Sequence, residues 1–197
     1  MLIFQAAFQD NMKIKFVDGH KVRMSIDTDF CAISSWKRDE YIPKGEIWID
    51  KAYKKEADWL KRMHLFENKM LNKSHTERRQ IVCRKFLKKI RIIPKFIIRK
   101  ECKDGLTIKY VEGSIVRKYI DPKFVLGGHD LVYNYIPKDE IWIDSRQGNK
   151  EIKYTLLHEI HERNLIKKGM DYNSAHDFAL AAEKYERRKD GAIYLDD

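Results

Sequence analysis

Cysteine and proline are scarce in this sequence, with three cysteines and four prolines among 197 residues. Cys31, Cys83 and Cys102 are too far apart for a CxxC zinc knuckle, and their odd number argues against the disulfide framework of a secreted protein. We therefore expect a reducing, cytoplasmic environment. The start, MLIFQAAFQDN, has no basic region, and its apolar stretch ends by Asp10, so it predicts neither a signal peptide nor a membrane span.

Acidic residues are outnumbered by basic ones, 30 against 40, which gives a formal net charge of +10. This balance favours phosphate-rich or acidic partners. No membrane partner is expected, because the start of the sequence predicts no span. Between residues 73 and 100 the only acid is Glu77. This segment is either a solvated helix face with a connector or a nucleic-acid contact. In the second case the expected contacts are Arg84, Lys85, Lys88 and Lys89.

The chain contains an internal repeat. Residues 14–50 and 108–144 align without a gap at an offset of 94, with 18 of 37 positions identical. A domain of about 90 residues buries only a marginal core, so we expect the two repeats to pack on each other. We divide the chain into a degenerate N-terminal repeat with a basic helix and linker, 1–101, and a C-terminal repeat that carries the candidate metal site, 102–197.

The repeats predict an α+β fold, a tandem duplication of a strand hairpin, an edge strand and a helical hairpin. The pattern IK-aromatic-V-acid-G followed by V-R-x-x-I-D predicts the hairpin, with Asp18-Gly19 and Glu112-Gly113 at the tips. Pro43 and Pro137 lack the amide hydrogen of a central ladder, so the EIWID segments that follow are predicted to be edge strands. These segments span 46–50 and 140–144.

Helical patterns follow each EIWID segment. Helices are predicted near 54–72, 75–91, 149–168 and 174–188. Asn149 and Asn173 are the expected N-caps, and Gly169 is the expected left-handed residue at a helix end. Residues 95–102 predict a further strand that starts the second repeat, and the tail after Asp190 is expected to fray. Six aromatic residues are expected to have packing roles. Tyr172, Phe178 and Tyr185 are predicted to lie in the core, and Trp48, Tyr110 and Trp142 are predicted to pack on the sheets.

Only the second repeat continues into His158-Glu159-Ile160-His161-Glu162. Side chains four residues apart on a helix meet on one surface, so His158 and Glu162 are expected to converge, with Glu159 about 100° round the helix. The next helix returns after a short turn and brings His176 or Asp177 toward this pair, with Glu183 on the His176 face.

Two imidazoles and a carboxylate would hold Zn²⁺ with one position open for water, and the same set also suits Fe²⁺ or Mn²⁺. We therefore predict His158, Glu162 and His176 as ligands. Glu159 would then take a proton from the water as it attacks.

Further candidates surround this set. His161 lies about 60° from His158 and either supplements the site or fills an interface. In the segment 127–130, two glycines permit positive φ and close backbone approach, and His129 is either a ligand or an oxyanion donor, although a plain turn explains the segment as well. At the repeat offset, Leu65 and Asn68 stand opposite Glu159 and Glu162. The first repeat is therefore expected to be structural or a binding surface.

The EIWID strand followed by a helix reading TLLHEIHE resembles the core of the zincin metallopeptidases, in which a strand presents the substrate backbone and the next helix carries His-Glu-x-x-His. The resemblance covers about residues 108–188. It implies a hydrolase acting on protein or peptide, with the 140–144 strand as docking edge. It also implies His158 as first ligand, Glu159 as general base and Glu162 in place of the second histidine. The chain is similar as well to small phage and prokaryotic proteins that share IPK-x-EIWID, HE-x-x-E and Tyr-x-x-AH elements.

Three functions are therefore open. The leading expectation is a cytoplasmic, zinc-dependent, metallopeptidase-like hydrolase. A second is a basic nucleic-acid-binding protein of phage or prokaryotic origin, in which the histidine cluster is a structural metal site or holds no metal. A third combines both features in a metal-dependent nuclease or phosphoesterase.

Overall fold

The computed structural model describes residues 12–194 and shows an α+β fold with two small mixed sheets. The strands are β1 (Lys13–Val17), β2 (Ile33–Ser35), β3 (Glu46–Asp50), β4 (Ile97–Lys103), β5 (Leu106–Val111), β6 (Gly127–His129) and β7 (Glu140–Asp144). The helices are α1 (Gly19–Ser25), α2 (Ala57–Asn68), α3 (His75–Phe86), α4 (Gly113–Tyr119), α5 (Asn149–Lys167) and α6 (Tyr172–Lys189). Short 3₁₀ helices, Lys51–Glu56 and Ser145–Gln147, follow β3 and β7. The prediction about the first eleven residues lies outside the described range.

The EIWID strands are central in their sheets. β3 lies between parallel β1 and antiparallel β2, and β7 lies between parallel β5 and antiparallel β6. The edge-strand prediction was wrong because Pro43 and Pro137 lie in the loops before the strands, where their missing amide hydrogens interrupt no ladder. β4 pairs with β5 and confirms the extra strand predicted near 95–102.

The chain leaves β1 and β5 as a helix, so the predicted hairpins were wrong. The acid before each glycine is a helix N-cap, since Asp18 accepts a hydrogen bond from the Lys21 amide and Glu112 accepts one from the Ser114 amide. Each glycine allows its helix to pack closely against an aspartate at the end of a strand, Gly19 of α1 against Asp50 and Gly113 of α4 against Asp144. A Cβ on Gly19 would lie 1.7 Å from Asp50 Oδ2.

Strand register recurs between the two halves of the chain at the repeat offset. The pair Lys13 and Glu46 corresponds to Thr107 and Glu140, and the β2–β3 register corresponds to that of β6 and β7. We call β1 to α3 unit 1 and β4 to α6 unit 2. The boundary predicted between residues 101 and 102 falls inside β4, and the division into domains stays a prediction.

Two fully buried arginines join the units reciprocally. Arg23 of α1 donates to Asp50 at the end of β3 at 2.9 Å, and its guanidinium lies 3.2 Å from Glu151 of unit 2. Arg117 of α4 donates to Asp144 at 2.7 Å and to Glu56 of unit 1 at 2.7 and 2.9 Å. The units therefore contact each other through buried ion pairs.

The helical hairpin of unit 2 follows its prediction closely. Gly169 has φ 96°, and the Met170 amide donates to the Leu165 carbonyl at 3.2 Å, so the predicted C-terminal motif is present. The predicted caps are displaced, because Asn149 is already the first residue of α5 and Asp171 caps α6 in place of Asn173. In unit 1, α3 ends at Phe86, five residues early, since the next residue, Leu87, is extended.

The aromatic predictions divide into two groups. Trp48, Tyr110 and Trp142 are buried on the sheets, as predicted. Tyr172, Phe178 and Tyr185 were wrongly placed in the core, since they are 46, 57 and 62% exposed, and α6 instead buries small residues such as Ala175 and Ala179.

The last described residues pack on unit 1. Tyr194 is buried, and its hydroxyl donates to the Arg23 carbonyl at 2.9 Å, so the tail does not fray before this residue. Within residues 12–194, every helix is too short or too polar to cross a membrane.

Candidate metal centre

α5 lies against the second sheet with an apolar stripe at every fourth residue. Ile152, Leu156 and Ile160 pack on a cluster of sheet residues that includes Ile108 and Ile143. The neighbouring faces of the helix therefore meet β6 on one side and α6 on the other. These two faces carry the charged residues of the candidate site.

His158, Glu162 and His176 converge. Nε2 of His158 lies 3.2 Å from Nδ1 of His176 and 3.7 Å from Oε2 of Glu162. Nδ1 of His176 is 2.9 Å from the same Glu162 oxygen. Ligand atoms bound at 2.0–2.1 Å to a tetrahedral zinc would stand about 3.3 Å apart. The three atoms therefore fit around one cation, and the structure brings together the residues predicted as ligands.

Two further side chains hold these residues in place. Nδ1 of His158 is 3.0 Å from Oε2 of Glu183, and Nε2 of His129 is 2.9 Å from Oε1 of Glu162. The Leu131 amide donates to Nδ1 of His129 at 3.2 Å, so the proton of a neutral His129 is on Nε2 and is donated to Glu162. His129 and Glu183 therefore orient the candidate ligands, as outer partners do in metal sites.

Glu159 occupies the face of α5 nearest β6. It is buried, and burial raises its pKa to about 7. One of its carboxylate oxygens lies within 4.8 Å of an oxygen of Glu162 and of a ring nitrogen of His129, so these three residues form a second possible ligand group. The donor role of His129 Nε2 favours the group with His158 and His176. Glu159 is then left beside the cation position.

The carboxylates create a negative potential at this position. Burial alone would lower the pKa of His158, but its hydrogen bonds with Glu162 and Glu183 raise it to about 10. Burial alone would raise the pKa of Glu162, but hydrogen bonds from His129, His158 and His176 lower it well below its usual value. A potential that stabilises a protonated imidazole so strongly also favours a divalent cation.

A cavity of about 320 Å³ opens in front of the cluster, and both units line it. Tyr172 stacks on His176 with ring centroids 5.8 Å apart, and Oδ1 of Asp29 in unit 1 is 4.0 Å from Nε2 of His176. The volume is that of a small-molecule or side-chain pocket. Its walls include Thr28, Asp29, Cys31, Arg79, Tyr133 and Tyr172.

Comparisons of the chain with protein-family models, with curated proteins and with solved structures find no match.

Some predicted site residues lie elsewhere. His161 is exposed and lines a separate cavity with Ile160 and Glu186, and Asp177 is exposed and does not line the cavity in front of the cluster. The four cations proposed for nucleic-acid contact, Arg84, Lys85, Lys88 and Lys89, do not line that cavity either.

The two glycines before His129 form strand β6, so a plain turn was the wrong alternative. Gly127 and Gly128 do not have positive φ. They serve close approach instead, since a Cβ on Gly127 would lie 2.8 Å from Thr155 Cγ2 and one on Gly128 would lie 2.6 Å from the Tyr133 ring.

Unit 1 replaces the cluster with a neutral hydrogen-bond network. His64, Ser35 and Asn68 occupy the positions of His158, His129 and Glu162 at the repeat offset. Ser35 Oγ is 2.8 Å from His64 Nε2 and accepts from Asn68 Nδ2 at 3.1 Å. Burial lowers the pKa of His64 to about 3. Within residues 12–194 the groups able to hold a metal lie in unit 2.

Sequence reasoning missed the buried charges behind the ligands. Glu151 and Arg187 are each 1% exposed and lie next to Glu183 in the interior. One signal was available for Arg23 and Arg117, because an arginine retained in the apolar V-R-x-x-I-D pattern of both repeats suggests a buried cation.

Proposed function

We propose that the protein is a metal-dependent hydrolase of zincin type that binds zinc through His158, Glu162 and His176. The observation that carries the proposal is the convergence of three donor atoms in a buried cluster whose outer partners, Glu183 and His129, fix the ligand orientations. Two imidazoles and one carboxylate form a catalytic zinc set with an open position. Fe²⁺ or Mn²⁺ also suits this set.

When bound, the cation supplies Lewis-acid activation of a water molecule or a carbonyl oxygen. Glu159 is the general base, because it lines the cavity beside the ligands and is held between α5 and β6. Its pKa near 7 allows it to exchange a proton near neutral pH. His158 and Glu162 are at most 8% exposed, and this burial strengthens their electrostatic interactions.

A peptide or protein substrate is what the resemblance to zincins implies, and the cavity is the feature that could receive it. In the order β4–β5–β7–β6, the EIWID strand β7 is central and β6 is the edge strand. All three residues of β6 are buried, and Gly127 lies against Thr155 and Glu159, so β6 offers no open edge for a further strand. A substrate side chain would instead enter the cavity of about 320 Å³ that Glu159 lines.

A tandem duplication followed by loss of the site in unit 1 accounts for the two repeats. It is supported by the sequence identity, by the strand registers and by the reciprocal arginines. In the described residues, the ligand set proposed for unit 2 has no counterpart at the corresponding positions of unit 1.

Elemental analysis of protein purified without added metal tests the proposal. We expect about one zinc per chain in the parent and none in His158→Ala, while Glu159→Gln retains zinc and loses hydrolysis of a quenched fluorogenic peptide library. His161→Ala, on the same helix but outside the site, is the control and should keep both properties. A parent that binds no divalent metal would overturn the proposal.

A second candidate function is nucleic-acid binding by the basic segment. Lys88 to Lys95 is exposed throughout and has no regular secondary structure. In the described part of the chain, Lys88, Lys89 and Arg91 form no ion pair, so their charges are available to phosphates. Together with the metal centre, this segment would also serve a metal-dependent nuclease.

Salt-dependent binding to DNA and RNA tests this candidate. Neutralising Arg84, Lys85, Lys88 and Lys89 to glutamine should reduce the slope of log K against log salt by about 0.9 for each phosphate group that the variant no longer neutralises. The charge-matched control neutralises four exposed lysines elsewhere, Lys44, Lys69, Lys167 and Lys168. An equal weakening of binding in both variants would contradict a specific surface, and cleavage of the bound nucleic acid would favour the nuclease.

A further inference from the structure

A chain of buried ion pairs runs from unit 1 to the candidate metal ligand His158. Arg23 Nη1 lies 3.2 Å from Oε2 of Glu151, and Arg187 donates to both oxygens of that carboxylate at 2.7 and 3.0 Å. Arg187 also donates twice to Oε1 of Glu183, at 2.8 and 2.9 Å. The other oxygen of Glu183 is the partner of His158 Nδ1. All five residues are at most 8% exposed.

Each member of this chain depends on the next for charge balance. A buried charge without a partner is strongly disfavoured, so Glu151 needs the cations on both of its sides. Without Arg23, Arg187 would be drawn toward Glu151 and away from Glu183. Glu183 would then be free to rotate, and His158 would lose the partner that fixes its ring. His20, 27% exposed, also contacts Glu151 but cannot replace a buried guanidinium.

Arg117 provides a matched comparison within the same molecule. It occupies the position of Arg23 at the repeat offset, is equally buried, and makes the equivalent bonds to Asp144 and to the Phe124 carbonyl. Its cross-unit partner is Glu56, whose other partner is Arg146. No described contact leads from Glu56 or Arg146 to His158. Arg117 is therefore as buried as Arg23 and also forms an ion pair across the units, with two hydrogen bonds to Glu56, but it has no connection to the metal cluster.

We propose that Arg23, Glu151 and Arg187 are positioning residues for the metal centre, through which unit 1 fixes the orientation of His158. The inference rests on the proposed zinc site. It gives unit 1, which has no ligand set of its own, a specific role. Replacing a residue of this chain should change the affinity for zinc, whereas a purely structural role would change stability alone.

Competition between the full chain and a chromophoric chelator measures this effect. We expect zinc affinity to fall about 10- to 100-fold in Arg187→Gln, as for outer partners of metal ligands. The expected loss is about 3- to 10-fold in Arg23→Gln, because Arg23 reaches Glu183 through two more ion pairs than Arg187 does. Arg117→Gln should lower the melting temperature similarly and leave zinc affinity within about twofold. Equal zinc affinities in the Arg23 and Arg117 variants would overturn the inference.

A second variant keeps the test decisive if glutamine prevents folding. Arg23→Lys retains the charge but cannot reach Asp50, Glu151 and the Phe30 carbonyl together. The zinc affinity of Arg23→Lys should be lower than that of Arg117→Lys by a factor of about two or more. Identical affinities in the two lysine variants would also overturn the inference.

An NMR signal separates failure of this inference from failure of the zinc proposal. The Nδ1 proton of His158, bonded to Glu183, should give a downfield resonance that is assigned by its absence in His158→Gln. It should disappear in Arg23→Gln and persist in Arg117→Gln, whether or not zinc is bound. If the parent binds no zinc, the zinc proposal fails, and persistence of this signal in Arg23→Gln would refute the positioning role as well.

Discussion

Adding one methyl group at Gly127 should disable the proposed general base without removing a ligand. In Gly127→Ala the new Cβ would lie 2.8 Å from Thr155 Cγ2, 2.9 Å from Glu159 Oε1 and 3.1 Å from Glu159 Cγ. The carboxylate end of Glu159 can rotate away, but the β-branched Thr155 side chain on a helix is stiff. We therefore expect Glu159 to leave its position and α5 to shift slightly away from β6.

The two opposing energies give the size of the effect. Overpacking in a tight interior destabilises the folded state by about 1–3 kcal/mol. Replacing glycine by alanine stabilises it by about 0.4–1 kcal/mol, because alanine reduces the conformational entropy of the unfolded chain. The midpoints of these ranges give a net loss of about 1.3 kcal/mol, which corresponds to about 3–5 °C in Tm for a chain of this length. Zinc should stay bound, because His158, Glu162 and His176 do not touch Gly127, but more weakly, because the shift of α5 lengthens the bond from His129 to Glu162. Peptide hydrolysis should fall to the level of Glu159→Gln.

The double variant Gly127→Ala/Thr155→Ser separates the two contacts. Serine lacks Cγ2 but keeps the hydroxyl that donates to Gln147 Oε1 at 2.6 Å. In a double-mutant cycle with Thr155→Ser alone, stability should recover by at least half, and hydrolysis should not recover, because Glu159 is still displaced. Full hydrolysis in Gly127→Ala, or recovery of hydrolysis in the double variant, would refute the role assigned to Glu159.

Three other predictions concern the ligands and the ion pairs. His129→Leu removes the donor to Glu162 and should weaken zinc binding about 10- to 100-fold in a chelator competition, whereas His161→Leu should not. Zinc at 100 times its Kd should raise the free energy of unfolding by about 2.7 kcal/mol in the parent and leave His158→Ala unchanged, as measured by denaturant titration. The carboxyl group of Glu67 is buried, which alone would raise its pKa, but Lys123 at 2.9 Å and Arg38 at 3.0 Å lower it. Glu67→Gln should therefore lower the free energy of unfolding at pH 7 by about 1–3 kcal/mol. This difference should shrink as the pH falls from about 4.3 through the lower folded pKa, and a difference independent of pH would contradict the ion-pair account.

Helix geometry was the part of the site that the sequence predicted well. The spacing of His158 and Glu162 follows from the helical pitch, and Gly169 marked the turn that returns His176 to them. The short turn and the two helix lengths fix this juxtaposition locally. No knowledge of the sheets is needed for it.

The errors arose where a local pattern has two structural solutions. An acid followed by glycine occurs both in hairpin turns and at helix N-caps, and Asp18 and Glu112 belong to the second class because a packed helix follows. Pro43 and Pro137 exclude a central strand only if they lie within it. Tyr172 was misplaced because spacing identifies a helix face but not whether another element covers it.

The long-range ion pairs could not be predicted from the sequence. The ion pairs of Arg23 with Glu151 and of Lys123 with Glu67 join residues more than 50 positions apart, and their partners are set by how the units pack. Burial, and therefore the raised pKa of Glu159, depends on the same packing. The contribution of unit 1 to the cavity could not be predicted for this reason.

X-ray absorption at the zinc edge of the zinc-loaded full chain tests the central claim most directly. The account predicts one zinc per chain with two imidazole nitrogens at about 2.0–2.1 Å, oxygen ligands at about 2.0–2.2 Å and no sulfur. The imidazole signal should fall from two rings to one in His176→Ala. A sulfur shell near about 2.3 Å, or a parent spectrum without two imidazoles, would contradict the ligand set on which the proposed function stands.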